Sequence, residues 1–101
     1  MSLVDLHVHT TASDGQFTPR EVVQMALGLH LRVIAIADHD STDGVAEAQE
    51  SARDTSLEVV PAVEINVDYG RLELHILGYY LDPTSAELQV ALAQLRAGRL
   101  A

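Results

Sequence analysis

The sequence predicts an α/β domain built on parallel strands, and three patterns predict it. Arg32 to Ala37, RVIAIA, is an unbroken apolar run bounded by polar residues, which is how a strand buried on both faces of a parallel sheet reads. Stretches with apolar residues at helical spacing precede and follow it. Further on, the turn residues Asp68-Tyr69-Gly70-Arg71 divide two alternating runs, the mark of a hairpin. The order β-α-β-α-β, with a hairpin and a terminal helix, implies right-handed parallel crossovers.

The elements follow in order. Val4 to His9 alternates apolar and polar residues and reads as a strand. Thr18-Pro19-Arg20-Glu21 has the form of a capping box with proline at the first helical position. Val22, Met25, Ala26 and Leu29 then fall at helical spacing, so a helix is expected over Pro19–Leu29. After the strand Arg32–Ala37 comes a polar loop, DHDSTDG, and a second helix over Val45–Arg53. A third strand spans Leu57–Val67, with Pro61 marking an interruption or an edge position inside it. Glu64–Val67 and Leu72–Leu77 form the hairpin. Thr84 and Glu87 offer a second capping box, and the helix after it carries Leu88, Leu92 and Leu95 on one stripe.

Composition bounds what such a domain can do. Its 101 residues, 48% of them hydrophobic, suffice for one domain with a real core. No run approaches the roughly 18 apolar residues of a membrane helix. No basic segment leads into an apolar one, so no secretory signal is expected and a cytoplasmic location is the default. Cysteine is absent, which excludes disulfides and thiolate metal sites. Fifteen acids face six arginines and no lysine, a net charge of −9. That balance argues against an extended nucleic-acid or anionic-membrane surface. It leaves phosphate substrates open, because bound divalent metals reverse the local sign.

The chemistry sits at the strand ends. Asp5, His7 and His9 share one face of the first strand, the imidazoles about 7 Å apart along it, close enough to converge on one ion if the strand twists. Asp38-His39-Asp40 follows the buried strand, where parallel folds bind ligands; its acids either flank a ligand or cap the next helix. Glu64 lies in the apolar stretch VVPAVEINV. A buried glutamate there needs a partner or a metal, although alternation alone would let it face outward. His75, in LELHILGYY, suits the polar face of an edge hairpin equally well. His30 matches no cluster and reads as a helix-end surface residue. Taken together, His7, His9, Asp14, His39, Glu64 and His75 ask for one explanation, a mixed imidazole–carboxylate metal site. Such a set suits manganese, iron or zinc, with Glu64 suited to bridge two ions. Asp5, Asp38 and Asp40 are candidates to orient the imidazoles from behind.

In this order and spacing, DLHVHTTASDG, ADHDSTDG, PAVEIN and LELHILGYY resemble the PHP (polymerase and histidinol phosphatase) family. Within it, the chain is most similar to stand-alone bacterial phosphoesterases acting on nucleoside 3′,5′-bisphosphates and short oligoribonucleotides. The resemblance implies a distorted (β/α)7 TIM-like barrel with up to three metals, usually manganese, sometimes iron or zinc. It implies that His7 and His9 hold one metal, that Asp14 and His39 hold a second, that Glu64 bridges and that His75 helps hold a third. In the family, later strands add another histidine and an Asp-x-His pair. No histidine follows His75 here, so residues 1–101 resemble the amino-terminal half of the PHP domain.

The expected function is therefore metal-dependent hydrolysis of a small phosphorylated substrate or nucleotide end by activated water, with no separate protein nucleophile. A second expectation is a metal-binding but catalytically incomplete module, which self-associates or recruits a complementary chain through exposed strand edges and the leucine stripe. A metal-dependent amide or C–N hydrolase is chemically feasible, but the order of the later motifs argues against it.

Overall fold

A computed structural model describes residues 3–69 and 72–100, with side chains at positions 4–65 and 75–97. Seven elements follow one another: β1 (Leu3–Val8), α1 (Pro19–Gly28), β2 (Leu31–Ile36), α2 (Val45–Ala52), β3 (Glu58–Tyr69), β4 (Leu72–Tyr79) and α3 (Ala86–Leu100). They form one four-stranded sheet in the order β1-β2-β3-β4. The pairs β1–β2 and β2–β3 are parallel, and β4 closes the sheet antiparallel to β3. The two crossovers and the hairpin are those expected, except that Asp68 and Tyr69, read from the sequence as turn residues, pair with β4 as the end of β3; residues 70 and 71 lie outside the described residues.

Local chemistry explains the first helix. Thr18 Oγ1 accepts from the Glu21 amide at 3.1 Å while Glu21 Oε1 accepts from the Thr18 amide at 3.0 Å, with Pro19 at the first turn. The helix ends at Gly28, and His30 turns the chain with φ 59°, exposed and remote from the site chemistry. At α3 the expected cap is displaced by one residue. The Asp82 carboxylate takes both the Thr84 amide (2.9 Å) and hydroxyl (2.6 Å), so Thr84 belongs to the preceding turn. Ser85 Oγ instead accepts from the Leu88 amide at 3.2 Å.

Pro61 does not interrupt β3. Pairing with β2 runs to Ile36↔Pro61, and pairing with β4 begins at Ala62↔Tyr79. The residue without an N–H thus stands where the strand exchanges one partner for the other.

β2 is buried on both sides, as its apolar run predicts. Ile34 and Ile36 pack against Val23 and Ala26 of α1 and Val45, Ala48 and Ala52 of α2. On the opposite face Ala35 and Ala37 meet Val60 and Ala62, small residues that keep this side narrow. The sheet curls around that face. Tyr79 on β4 donates its hydroxyl to the Leu6 carbonyl on β1 at 2.7 Å. In a flat sheet those edge strands would stand about 14 Å apart, beyond the reach of one side chain. The result is a half-barrel, its concave mouth at the carboxyl ends of the parallel strands. Among the described residues no helix is long and apolar enough to cross a membrane.

Candidate metal centre

Histidines and acids converge at that mouth. The register of β1 against β2 slips between Asp5 and Val8, a bulge of the kind that re-aims side chains beside functional sites. His7 and His9 emerge there with their Nε2 atoms 3.2 Å apart. Asp5 lies exposed behind them, its Oδ1 accepting from the His7 backbone amide at 3.1 Å.

The loop after β1 brings in Asp14. The Thr10 carbonyl accepts from the amides of Ser13 (3.1 Å) and Gly15 (2.8 Å), curling the loop tightly. A Cβ on Gly15 would stand 2.6 Å from the His9 carbonyl oxygen and 2.7 Å from Thr10 Cα, so only glycine fits. In this turn Asp14 Oδ1 lies 2.7 Å from His9 Nδ1 and Oδ2 lies 3.2 Å from His39 Nε2.

Asp38 has a different role from the one its flanking position suggests. Its fully buried carboxylate accepts from the Thr10 amide (2.6 Å), the Thr10 hydroxyl (2.7 Å) and the Ser13 hydroxyl (2.7 Å). Rather than orienting an imidazole, it pins the loop that carries Asp14. Thr10 and Ser13 are the residues sequence reasoning missed; no local signal separates buried Thr10 from its exposed neighbour Thr11.

His39 and Glu64 are registered by the backbone itself. They form an isolated parallel bridge in which the Glu64 amide donates to the Asp38 carbonyl and the Asp40 amide to the Glu64 carbonyl, each at 2.9 Å. This extends the β2–β3 ladder to two of the candidate metal ligands. Asp40 itself is 2% exposed, with φ 50°.

Glu64 is the centre of the cluster. Only 1% of it is exposed, which excludes an outward-facing position. Oε1 meets His7 Nε2 and, at 2.9 Å, His9 Nε2; Oε2 lies 2.5 Å from His75 Nδ1 and 3.3 Å from His39 Nδ1. Burial alone would raise its carboxyl, but hydrogen bonds from His75, His7 and His9 and the charge of His39 outweigh burial and hold it at about 2. For Asp14, too, burial raises the carboxyl and the imidazoles of His9 and His39 more than offset it, leaving it below its usual value.

A depressed carboxyl has a measurable consequence. The unfolded chain takes up the Glu64 proton near the ordinary value of 4.5, and the folded chain only near 2. The contribution of Glu64 to stability is therefore complete above 4.5 and is lost as the pH falls toward 2. It amounts to at most about 3 kcal/mol. Urea unfolding of the metal-free protein between pH 6 and 2 is expected to show this acid limb in the wild type and a shallower one in Glu64→Gln. Parallel curves would refute it.

The donor set fits divalent metal ions. Among the described residues two groups of three donors, His7–His9–Glu64 and His9–Asp14–His39, each lie within 4.8 Å of one another. Two ligands on a tetrahedral ion with bonds near 2.1 Å stand about 3.4 Å apart. The pairs His7–His9, His39–Asp14 and His39–Glu64 stand at 3.2, 3.2 and 3.3 Å. His75 lies outside both groups and adjoins them through Glu64. Five of the six expected ligands thus come together in these groups, which share His9, and the sixth touches the Glu64 carboxylate of the first.

The chain is similar to known proteins over most of its length. A family model described as the PHP domain matches residues 5–98. The chain is 39% identical over 100 residues to the 3′,5′-nucleoside bisphosphate phosphatase of Chromobacterium violaceum, covering 99% of this chain and 35% of that protein. It is 40% identical over 94 residues to the 5′–3′ exoribonuclease Rnm of Escherichia coli, covering 91% and 32%. Among solved structures, an amidohydrolase from Chromobacterium violaceum superposes with a TM-score of 0.90 at 38% identity, over 98% of this chain and 35% of that one. A structure from Bifidobacterium adolescentis, described as a candidate metal-dependent phosphoesterase, gives 0.88 at 37% identity, with the same coverage. The chain therefore spans about a third of the length of these relatives.

Proposed function

The chain belongs to the PHP domain family, and we propose that it serves metal-dependent hydrolysis of phosphate esters of nucleotide type, such as a nucleoside 3′,5′-bisphosphate or the end of a short oligoribonucleotide. The observation that carries this reading is the buried Glu64 carboxylate, with imidazoles on both of its oxygens. The names of the bisphosphatase and exoribonuclease relatives support the substrate class.

In this reading His7, His9 and Glu64 would hold one divalent ion and Asp14 and His39 a second, with Glu64 suited to bridge and His75 to help hold a third; manganese is favoured, iron or zinc being alternatives. Ions bound there supply hydroxide from water near neutral pH and offset the charge of the phosphate oxygens. The remaining work belongs to the side chains. Glu64 stays ionised across the physiological range, so it presents a fixed negative charge to both donor groups. A neutral imidazole has one lone pair, and its other nitrogen carries the proton. Asp14, 2.7 Å from His9 Nδ1, can accept that proton's hydrogen bond and leave Nε2 as the donor shared with His7 and Glu64. Asp38 keeps the loop closed so that Asp14 stays in reach.

The test is phosphate release from a nucleoside 3′,5′-bisphosphate with Mn2+, compared with the double variant His7→Ala/His9→Ala. Loss to the uncatalysed background is expected in the variant, and equal release by both proteins would refute the assignment. Mn2+ uptake by the wild type without release would favour the metal-binding, non-catalytic module.

A further inference from the structure

The residues expected to bind metal all precede Ile76, yet the helix beyond them, α3, donates two side-chain hydrogen bonds to one of their loops. Gln89, Leu92 and Arg96 fall three and four residues apart and so share a helical face. Leu92, on that face, is 1% exposed. Gln89 Nε2 donates to Thr42 Oγ1 at 2.7 Å and to the Pro83 carbonyl at 2.8 Å. Arg96 Nη1 donates to the Asp40 carbonyl at 2.6 Å.

The position of that carbonyl gives the contact its meaning. Asp40 directly follows His39 and holds a left-handed backbone, which aspartate tolerates better than most non-glycine residues but which still costs energy that its surroundings must offset. Its amide is fixed on the Glu64 carbonyl and its carbonyl on the guanidinium. One bond registers it to a metal-binding residue, and the other ties it to α3. Bonds from charged donors are stronger than neutral ones. Without Arg96 the buried carbonyl loses this donor, and the peptide after Asp40 is free to rotate toward an unstrained conformation. That rotation displaces His39, whose ring is seated between Asp14 and Glu64. Gln89 and Leu92 fix the helix so that the guanidinium arrives in register.

We infer that Arg96 is a positioning residue for His39, acting through the Asp40 carbonyl, and that α3 thereby sets one of the two donor groups. The inference rests on the metal-centre reading above. A purely space-filling helix would need Leu92 but no cation on that carbonyl.

The experiment uses the full chain with Arg96→Met, which keeps the apolar stem and removes the donors, and Arg96→Lys, which restores one. Amide hydrogen exchange is read first in the metal-free proteins. In Arg96→Met the Asp40 amide is expected to exchange about tenfold faster, the Ile34 amide in the core remaining unchanged. Mn2+ titration by calorimetry is expected to show about tenfold weaker binding at the group containing His39, with the His7–His9–Glu64 group unaffected. Arg96→Lys is expected to recover most of both. Unchanged Asp40 protection, or equal acceleration at Ile34, would overturn the positioning role. A wild type that takes up no Mn2+ would count against the metal reading alone, and the exchange comparison would still decide the role of Arg96.

Discussion

Glu64→Gln is expected to disable both donor groups at once while leaving the fold in place. The carboxylate offers Oε1 to His7 and His9 and Oε2 to His39 and His75. Glutamine keeps the shape but loses the charge, and its amide nitrogen is a donor that cannot ligate an ion. One side of the cluster must therefore face an N–H2 group whichever way the amide is turned. Changing residues that merely support a metal ligand costs 10- to 100-fold in affinity; the loss of a shared anionic ligand is expected to exceed about a hundredfold. Phosphate release should fall with it to background. Calorimetric titration with Mn2+ checks the first effect and the bisphosphate assay the second. A glutamine variant that binds Mn2+ like the wild type would remove Glu64 from the centre.

What the sequence made legible divides along the range of the interactions. The β2 run, the Thr18–Glu21 capping box and the helices were readable because a few consecutive residues decide them. The metal-binding candidates were readable because histidine and buried glutamate are chemically out of place on apolar strands. Glu64 shows where such reading stops. Alternation allowed it either face, and only the bridge to His39 places it inside. Asp38 illustrates the same limit: its position beside His39 suggested an imidazole partner, but its three donors come from residues 25 and 28 positions away. Ser85 displaced Thr84 as the cap because Asp82, two residues earlier, captured the threonine. Neither the Tyr79–Leu6 bond nor the Arg96–Asp40 bond has a local signature. Each exists because curling the sheet and docking α3 bring together segments more than fifty residues apart.

Asp38→Ala carries the other large effect, and here stability and binding should fall together. Asp38 is fully buried and accepts three hydrogen bonds, two of them from Thr10, which is itself fully buried. Alanine removes the acceptor of both Thr10 donors, at about 1–3 kcal/mol for each one left unpaired, while the Ser13 hydroxyl keeps Asp14 Oδ1 at 3.4 Å. A total loss of about 3–5 kcal/mol is expected, a large share of the 5–15 kcal/mol typical of a domain. The freed loop also carries Asp14 away from His9 and His39, so the group containing Asp14 should weaken more than the His7–His9–Glu64 group. Asp38→Asn keeps one acceptor oxygen and presents an N–H2 to the remaining donors, so it should fall between wild type and alanine on both measures. Urea midpoints and Mn2+ titrations on the three proteins check the ordering. If Asp38→Ala stays within about 1 kcal/mol of wild type, or weakens both donor groups equally, the carboxylate does not anchor the loop in the way its three bonds indicate.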